Sequence, residues 1–229
     1  MAGATSKVAR ERWVMRMALV SVAFAIAYAK WDAGWMFPLR VLMTLIHEFG
    51  HGLAGILTGG SIERIEVGRC LGGLCYVRGG WRWVILPAGY LGSMAAGCSI
   101  ILLASRTRLA KFVSLALGCL VLVGTVLWVR TTTGIVYGTL VGAGLASAGW
   151  WLTQDFNELL LNVIGAMNCM ASLFGLKYLL GYQGYNDAMM FSQEIFPLPP
   201  IVWALAWLAL STFALGFTLK LAAKPLERS

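Results

Sequence analysis

Long apolar runs, separated by short polar connections, dominate this chain. Each run is close to the roughly 20 residues that a helix needs to cross the hydrocarbon core of a bilayer. The pattern predicts an all-α polytopic membrane protein with about six to seven transmembrane helices, in a single membrane-embedded domain over residues 1–229. The runs cover residues 13–29, 35–57, 83–103, 112–129, 134–152, 159–180 and 201–221.

The one extended polar stretch, residues 58–82, has a different pattern. Ile62, Ile65 and Val67 alternate roughly with charged residues, and a glycine-rich turn then leads to Cys75-Tyr76-Val77. Alternation of this kind on both sides of a turn is typical of two short paired strands. We therefore expect a short β-hairpin at the membrane face, directly after the second run.

Composition and charge support a membrane protein. Of 229 residues, 59% are apolar and 12% are charged, and the mean hydropathy is +0.75. A soluble domain carries about 25% charged residues, so a cytosolic enzyme, a disordered chain and a small secreted scaffold are excluded. The net charge is +8, with the basic residues at the ends of the runs. That placement indicates contact with anionic lipid rather than nucleic acid.

Two of the runs have a second interpretation. The first run follows four cations and ends in Ala27-Tyr28-Ala29, which resembles a signal peptide. We favour an uncleaved first span, because further spans follow at once. The fifth run carries Gly134, Gly138 and Gly142, followed by Ala146 at the same spacing. Such a stripe lets another helix approach closely, either within the chain or in a homo-oligomer.

The candidate chemistry lies in His47-Glu48-Phe49-Gly50-His51, inside the second apolar run. Residues four apart share one face of a helix, so both imidazoles can bind one metal ion. Glu48 follows the first of them and can act as a general base on a water molecule. The chain has two histidines, and both are in this motif. Ionisable residues inside an apolar span indicate function by default.

A catalytic zinc site needs a third protein ligand and an open position. Asp187 precedes a short apolar stretch with no basic residue nearby in sequence, and we expect it to be the third ligand, with Asp155 as the alternative. Asp32 is too far from His47 along the chain to be favoured. The remaining acids that we considered are Glu63, Glu66, Glu158 and Glu194.

Five cysteines add no clear second site. Cys98, Cys119 and Cys169 lie in apolar runs, where cysteine usually serves as a small buried residue. Cys70 and Cys75 flank the predicted hairpin turn. They could form a disulfide, bind metal or do neither, and their spacing is not a strong zinc pattern.

Three blocks of sequence resemble the peptidase M50 (site-2 protease) family of intramembrane zinc metalloproteases, in particular its compact M50B-like branch. The resemblance covers about residues 40–210. The blocks are His47-Glu48-Phe49-Gly50-His51-Gly52-Leu53-Ala54 with Leu57-Thr58-Gly59-Gly60; Ala88-Gly89-Tyr90-Leu91-Gly92; and Asn186-Asp187-Ala188, followed by Phe196-Pro197 and Trp203.

The resemblance implies a zinc ion held by His47, His51 and an aspartate that matches Asp187, with Glu48 as general base. It also implies that a substrate helix unwinds partly inside the bilayer and meets the hairpin as an extended strand. The chain carries Asp187-Ala188 where classical members have Asp-Gly, and it has no room for a PDZ or CBS domain.

We therefore expect an intramembrane zinc metalloendopeptidase that cleaves a membrane-spanning or membrane-tethered protein. We expect the enzyme itself to be a multi-pass protein of a bacterial inner membrane. Asn186 is a candidate for oxyanion stabilisation or substrate positioning, and Asn162 and Asn168 are weaker candidates. The alternative is a non-proteolytic zinc-binding membrane scaffold. A small transporter with Glu48 and Asp187 in an ion path is a third hypothesis, but the paired broken spans of an inverted repeat are absent.

Overall fold

The computed structural model describes residues 18–179 and 186–222, apart from 20, 23 and 27, and gives only the backbone at 177–179. This part of the chain is mostly helical and has one two-stranded sheet. The described residues between 18 and 29 are helical, and a short 3₁₀ turn over Gly34–Met36 then leads into the first complete helix. The elements are α1 (Phe37–Leu57), β1 (Ser61–Val67), β2 (Gly73–Arg78), α2 (Arg82–Arg106), α3 (Ala110–Trp128), α4 (Thr132–Trp151), α5 (Gln154–Leu179), α6 (Asp187–Glu194) and α7 (Pro200–Ala222).

Among the described residues, four helices are long and apolar enough to cross a membrane. They are α2, α3, the Gln154–Leu176 part of α5, and α7. The expected count of six to seven spans is therefore met only in part. The predicted span 13–29, with the possible cleavage site at 27–29, lies partly outside the described residues. Helices α1 and α4 form where spans were expected, but the charged and histidine residues of α1 and the glycine and threonine residues of α4 lower their mean hydropathy.

Helix α1 lies at the centre of the fold. It contacts α2, α4, α5 and both strands. Its first half buries Val41, Leu42 and Leu45 completely, in one cluster with Ile65 and Val67 of β1. Its packing surface continues into its second half, so the motif residues lie on a largely buried helix rather than on a loop.

The hairpin forms within residues 58–82, as the alternating pattern predicts. Strands β1 and β2 are antiparallel, with Ile65 opposite Cys75 and Val67 opposite Gly73, and one irregularity between Ile62 and Arg64. The sheet packs on α1 where that helix has no side chains. A Cβ at Gly52 would lie 2.4 Å from Ile62 Cδ1. The lack of a side chain at Gly52 therefore lets the hairpin pack closely on the helix.

One edge of the sheet is already occupied. The Arg130 N–H donates to the Ile65 carbonyl at 2.9 Å, and the Thr131 hydroxyl donates to the Val67 carbonyl at 2.9 Å and accepts from its N–H at 3.0 Å. These groups follow α3, so the α3–α4 connection lies along the outer edge of β1. Within the described residues, no strand pairs with the other edge of the sheet, on β2.

The small-residue stripe of α4 packs inside the chain. A Cβ at Gly138 would lie 2.5 Å from Thr125 Oγ1, and one at Gly142 would lie 2.8 Å from Leu122 Cγ. In the other direction, a Cβ at Gly118 would lie 2.4 Å from the Ala146 backbone nitrogen. The stripe thus lets α3 and α4 approach closely, which is the first of the two interpretations that the sequence allows.

Candidate metal centre

Three side chains converge at the C-terminal half of α1, and they are His47, His51 and Asp187. The Nε2 atoms of the two histidines lie 3.2 Å apart, and each lies 3.4 Å from Asp187 Oδ2. Zinc with bonds of about 2.0–2.1 Å in tetrahedral geometry needs ligand atoms about 3.3–3.4 Å apart. This group of potential metal ligands therefore has the dimensions of three corners of a zinc tetrahedron.

A second contact orients His51. Its Nδ1 lies 2.7 Å from the Ile85 carbonyl oxygen on α2. A carbonyl oxygen can only accept, so Nδ1 carries the proton and the Nε2 lone pair is free for a metal. A backbone carbonyl behind a ligand histidine is a recurrent arrangement, because it fixes the tautomer and the ring orientation.

Helix α6 brings Asp187 to the histidines. The Asn186 side chain accepts a hydrogen bond from the Met189 N–H at 3.0 Å and so caps the helix at the residue before the acid. Ala188 and Phe191 pack in a cluster with Leu86, Leu176 and the α7 residues Ala204 and Trp207. At the other end of α6, Glu194 accepts two hydrogen bonds from Arg82, at 2.5 and 2.6 Å. Both ends of the short helix are thus fixed to the larger helices.

Gly89 of α2 provides the space beside the two imidazoles. A Cβ at this position would lie 2.4 Å from His51 Nε2 and 2.5 Å from His47 Nε2. The next residue, Tyr90, packs its ring edge-to-face against His47, with centroids 4.6 Å apart. The absence of a side chain at Gly89 leaves room for an ion, and the residues present therefore fit a zinc centre.

Access to the site is limited but present. The side chains of His47 and Asp187 keep 22% and 19% of their exposure, whereas His51 keeps 9%. A site with three protein ligands and one accessible side can hold a water molecule or a substrate atom in the fourth position, as catalytic zinc sites do.

Glu48 is 4% exposed, and its side chain lies between its own helix, α1, and the hairpin. A Cβ at Gly73 of β2 would lie 2.2 Å from Glu48 Oε1, so the carboxylate packs against that strand. The general base expected from the motif is therefore on the same helix as the two histidines, and its carboxylate packs against the hairpin.

The other acids considered from the sequence lie elsewhere. Asp155 is in the first turn of α5, and Asp32 pairs with Arg40 at 3.2 Å. The hairpin acids pair with neighbouring arginines, Glu63 with Arg78 and Glu66 with Arg64. Among the described residues, the group that could hold a metal consists of His47, His51 and Asp187.

The asparagine candidates have structural contacts. The oxygen of Asn186 caps α6, as described above. Asn162 accepts from Ser105 at 2.8 Å and donates to the Glu158 carbonyl, and Asn168 donates to the Ser93 carbonyl at 2.7 Å. The last two join neighbouring helices, which is the common use of asparagine in membrane proteins. Cys70 and Cys75 are free thiols.

Sequence reasoning missed two features of the site. The segment between the sixth and seventh apolar runs was expected to be a loop, but it contains α6, and the order Asn-Asp-Ala at the start of that helix is a recognisable helix N-terminus. The role of Gly89 was also missed, because a glycine in an apolar run does not reveal what lies opposite it.

Comparison with known proteins gives one family match. The Peptidase M50B-like family matches the chain over residues 13–218. No curated protein and no solved structure matches it. The match covers most of the chain and includes the histidine motif, Gly89 and Asp187, together with four apolar helices. This integral membrane protein therefore belongs to the Peptidase M50B-like family, whose membership implies a metalloprotease type of function.

Proposed function

We propose that the protein is an intramembrane zinc metalloendopeptidase that cleaves a membrane-spanning or membrane-tethered protein. In this proposal the enzyme is itself a multi-pass protein of a bacterial inner membrane. The observation that carries the proposal is the triangle of His47, His51 and Asp187, with edges of 3.2, 3.4 and 3.4 Å. Family membership supports the same activity.

In this proposal His47, His51 and Asp187 hold the ion, and Glu48 handles the proton. Zinc, when bound, polarises the scissile carbonyl and makes water nucleophilic near neutral pH. Glu48 takes a proton from the attacking water and passes it to the leaving amine. Its side chain is buried and packs against Gly73 of β2, so the carboxylate is positioned before the substrate arrives. Asn186 contributes by capping the helix that carries Asp187.

The free edge of β2 is the proposed docking site for the substrate. A peptide bond inside a helix is shielded by its own hydrogen bonds, whereas a strand added to a sheet edge exposes it. The outer edge of β1 is occupied by the α3–α4 connection, so β2 provides the edge to which a strand can be added. The Glu48 carboxylate packs against Gly73 of this strand. A substrate paired with β2 would thus pass beside the general base.

The experiment uses the purified full chain in liposomes, together with a tagged reporter that has one transmembrane helix interrupted by glycine and asparagine. We expect about one zinc per chain by mass spectrometry and zinc-dependent cleavage of the reporter. Glu48→Gln should retain zinc and lose cleavage, whereas His47→Ala should lose both. Equal cleavage by the wild type and Glu48→Gln would refute the mechanism. Zinc binding without cleavage, across reporters of varied sequence, would instead favour the non-proteolytic scaffold.

A further inference from the structure

The direction of the hydrogen-bonding groups along β2 follows from the contacts of β1. Residues directly opposite each other in an antiparallel pair alternate between those that bond to each other and those that bond outward. The Ile65 carbonyl and both backbone groups of Val67 bond outward, to Arg130 and Thr131. Their partners across the ladder are Cys75 and Gly73. Both partners therefore direct their backbone groups to the free edge of β2.

Glu48 meets the sheet at these two residues. Its carboxylate lies close enough to the Cys75 N–H, one of the outward groups, to interact with it. It also fills the space beside Gly73, because a Cβ there would lie 2.2 Å from Oε1, 2.7 Å from Cδ and 2.8 Å from Cγ of Glu48. All three distances are too short for real contacts between non-bonded heavy atoms. The carboxylate thus occupies the volume that any side chain at position 73 would take.

We infer that segment 73–75 is a positioning element for the general base, in which Gly73 leaves the space that holds the Glu48 carboxylate beside the Cys75 N–H. The inference rests on the proposed function, because it assigns Glu48 a proton-transfer role. It goes beyond that function by making the hairpin part of the catalytic apparatus. The strand edge proposed to pair with substrate is the one that holds the base, so a displaced hairpin leaves the metal ligands intact and the base misplaced.

Two adjacent glycines provide a matched test. Gly73→Ala places a methyl group against the Glu48 carboxylate, whereas a Cβ at Gly72 would meet nothing within 4 Å. Neither glycine has a positive φ, so alanine brings no backbone strain at either position. The two variants therefore differ in whether the new methyl group contacts Glu48.

The first measurement is reporter cleavage together with zinc content. A misplacement of about 1 Å at a catalytic group can lower the rate on the order of 10²-fold. We expect Gly73→Ala to lower kcat by about that factor, with little change in KM and full zinc content. Gly72→Ala should stay within about twofold of the wild type, as surface substitutions usually do. Equal kcat values for the two variants, or loss of zinc from Gly73→Ala, would overturn the inference.

The second measurement does not depend on activity. Thermal unfolding of the full chain in detergent is compared for Gly73→Ala in the wild type and in a Glu48→Ala background. Contacting residues show non-additive effects on stability. We expect Gly73→Ala to lower the unfolding midpoint by about 2–4 °C or more in the wild type, and by much less once the Glu48 side chain is absent. An equal decrease in both backgrounds would overturn the inference even if the reporter is never cleaved. A failure to cleave any reporter refutes the proposed function alone.

Discussion

Gly89→Ala tests the proposed metal centre without changing any of its proposed ligands. The added methyl group would lie 2.4 Å from His51 Nε2, 2.5 Å from His47 Nε2 and 2.6 Å from His47 Cε1. Ordinary contacts of a Cβ begin near 3.4 Å. Both imidazoles would therefore have to retreat by about 1 Å, while metal–ligand distances tolerate changes of only about 0.2 Å.

The surroundings leave little room for such a retreat. Helix α2 has little room to move away from α1, because it also packs closely on α5, where a Cβ at Gly97 would lie 2.9 Å from the Gly165 carbonyl oxygen. His51 is also fixed from behind by the Ile85 carbonyl, at 2.7 Å. Loss of a single supporting contact behind a ligand costs about 10- to 100-fold in metal affinity. Displacement of two ligands should cost at least about 100-fold, which corresponds to about 2.8 kcal/mol.

The assay is competition for zinc between the purified protein and a chelator of known affinity. Gly92→Ala is the control on the same helix, because a Cβ at Gly92 would meet only Gly50 Cα, at an ordinary 3.5 Å. We expect the control to bind zinc like the wild type. If Gly89→Ala also binds zinc with wild-type affinity, the ion is not held by the two imidazoles in the arrangement seen here.

Three further results are expected. Asp187→Ala should lower zinc affinity at least about tenfold in the chelator assay, whereas Asp155→Ala should leave it unchanged. If Asp155→Ala lowers the affinity and Asp187→Ala does not, the third ligand is Asp155 of α5. Burial and the Glu48 carboxylate raise the pKa of Cys75 to about 12, so its alkylation at pH 8 should be on the order of 10³-fold slower than that of an unperturbed thiol. Alkylation of Cys75, followed by mass spectrometry, should be faster in Glu48→Gln. An unchanged rate in that variant would contradict the contact between Glu48 and Cys75. Thr131→Val removes the hydroxyl that bonds the N–H and the carbonyl of Val67 on β1, and it should lower the free energy of unfolding by about 1–3 kcal/mol in chemical denaturation. A stability equal to that of the wild type would show that the hairpin edge is held in another way.

Local pattern was sufficient for several parts of this structure. The hairpin lies where apolar and charged residues alternate, because the two-residue period of a strand is visible in a short window. The spacing of His47 and His51 places both on one face of a helix whatever the rest of the fold does. The number of membrane spans was harder to predict, because α1 carries buried polar groups and α4 carries glycine, and both lower hydropathy without ending a helix.

The sequence by itself determined that the chain enters a membrane, that it carries one histidine motif and that few acids could complete a metal site. Only the tertiary structure decided which acid lies beside the histidines, because Asp187 is 136 positions from His51 and reaches it through the packing of α6 on α2 and α7. It also decided why Gly73 and Gly89 have no side chain. The volume that each glycine leaves empty is filled by groups distant in sequence, and local patterns contain no information about such contacts.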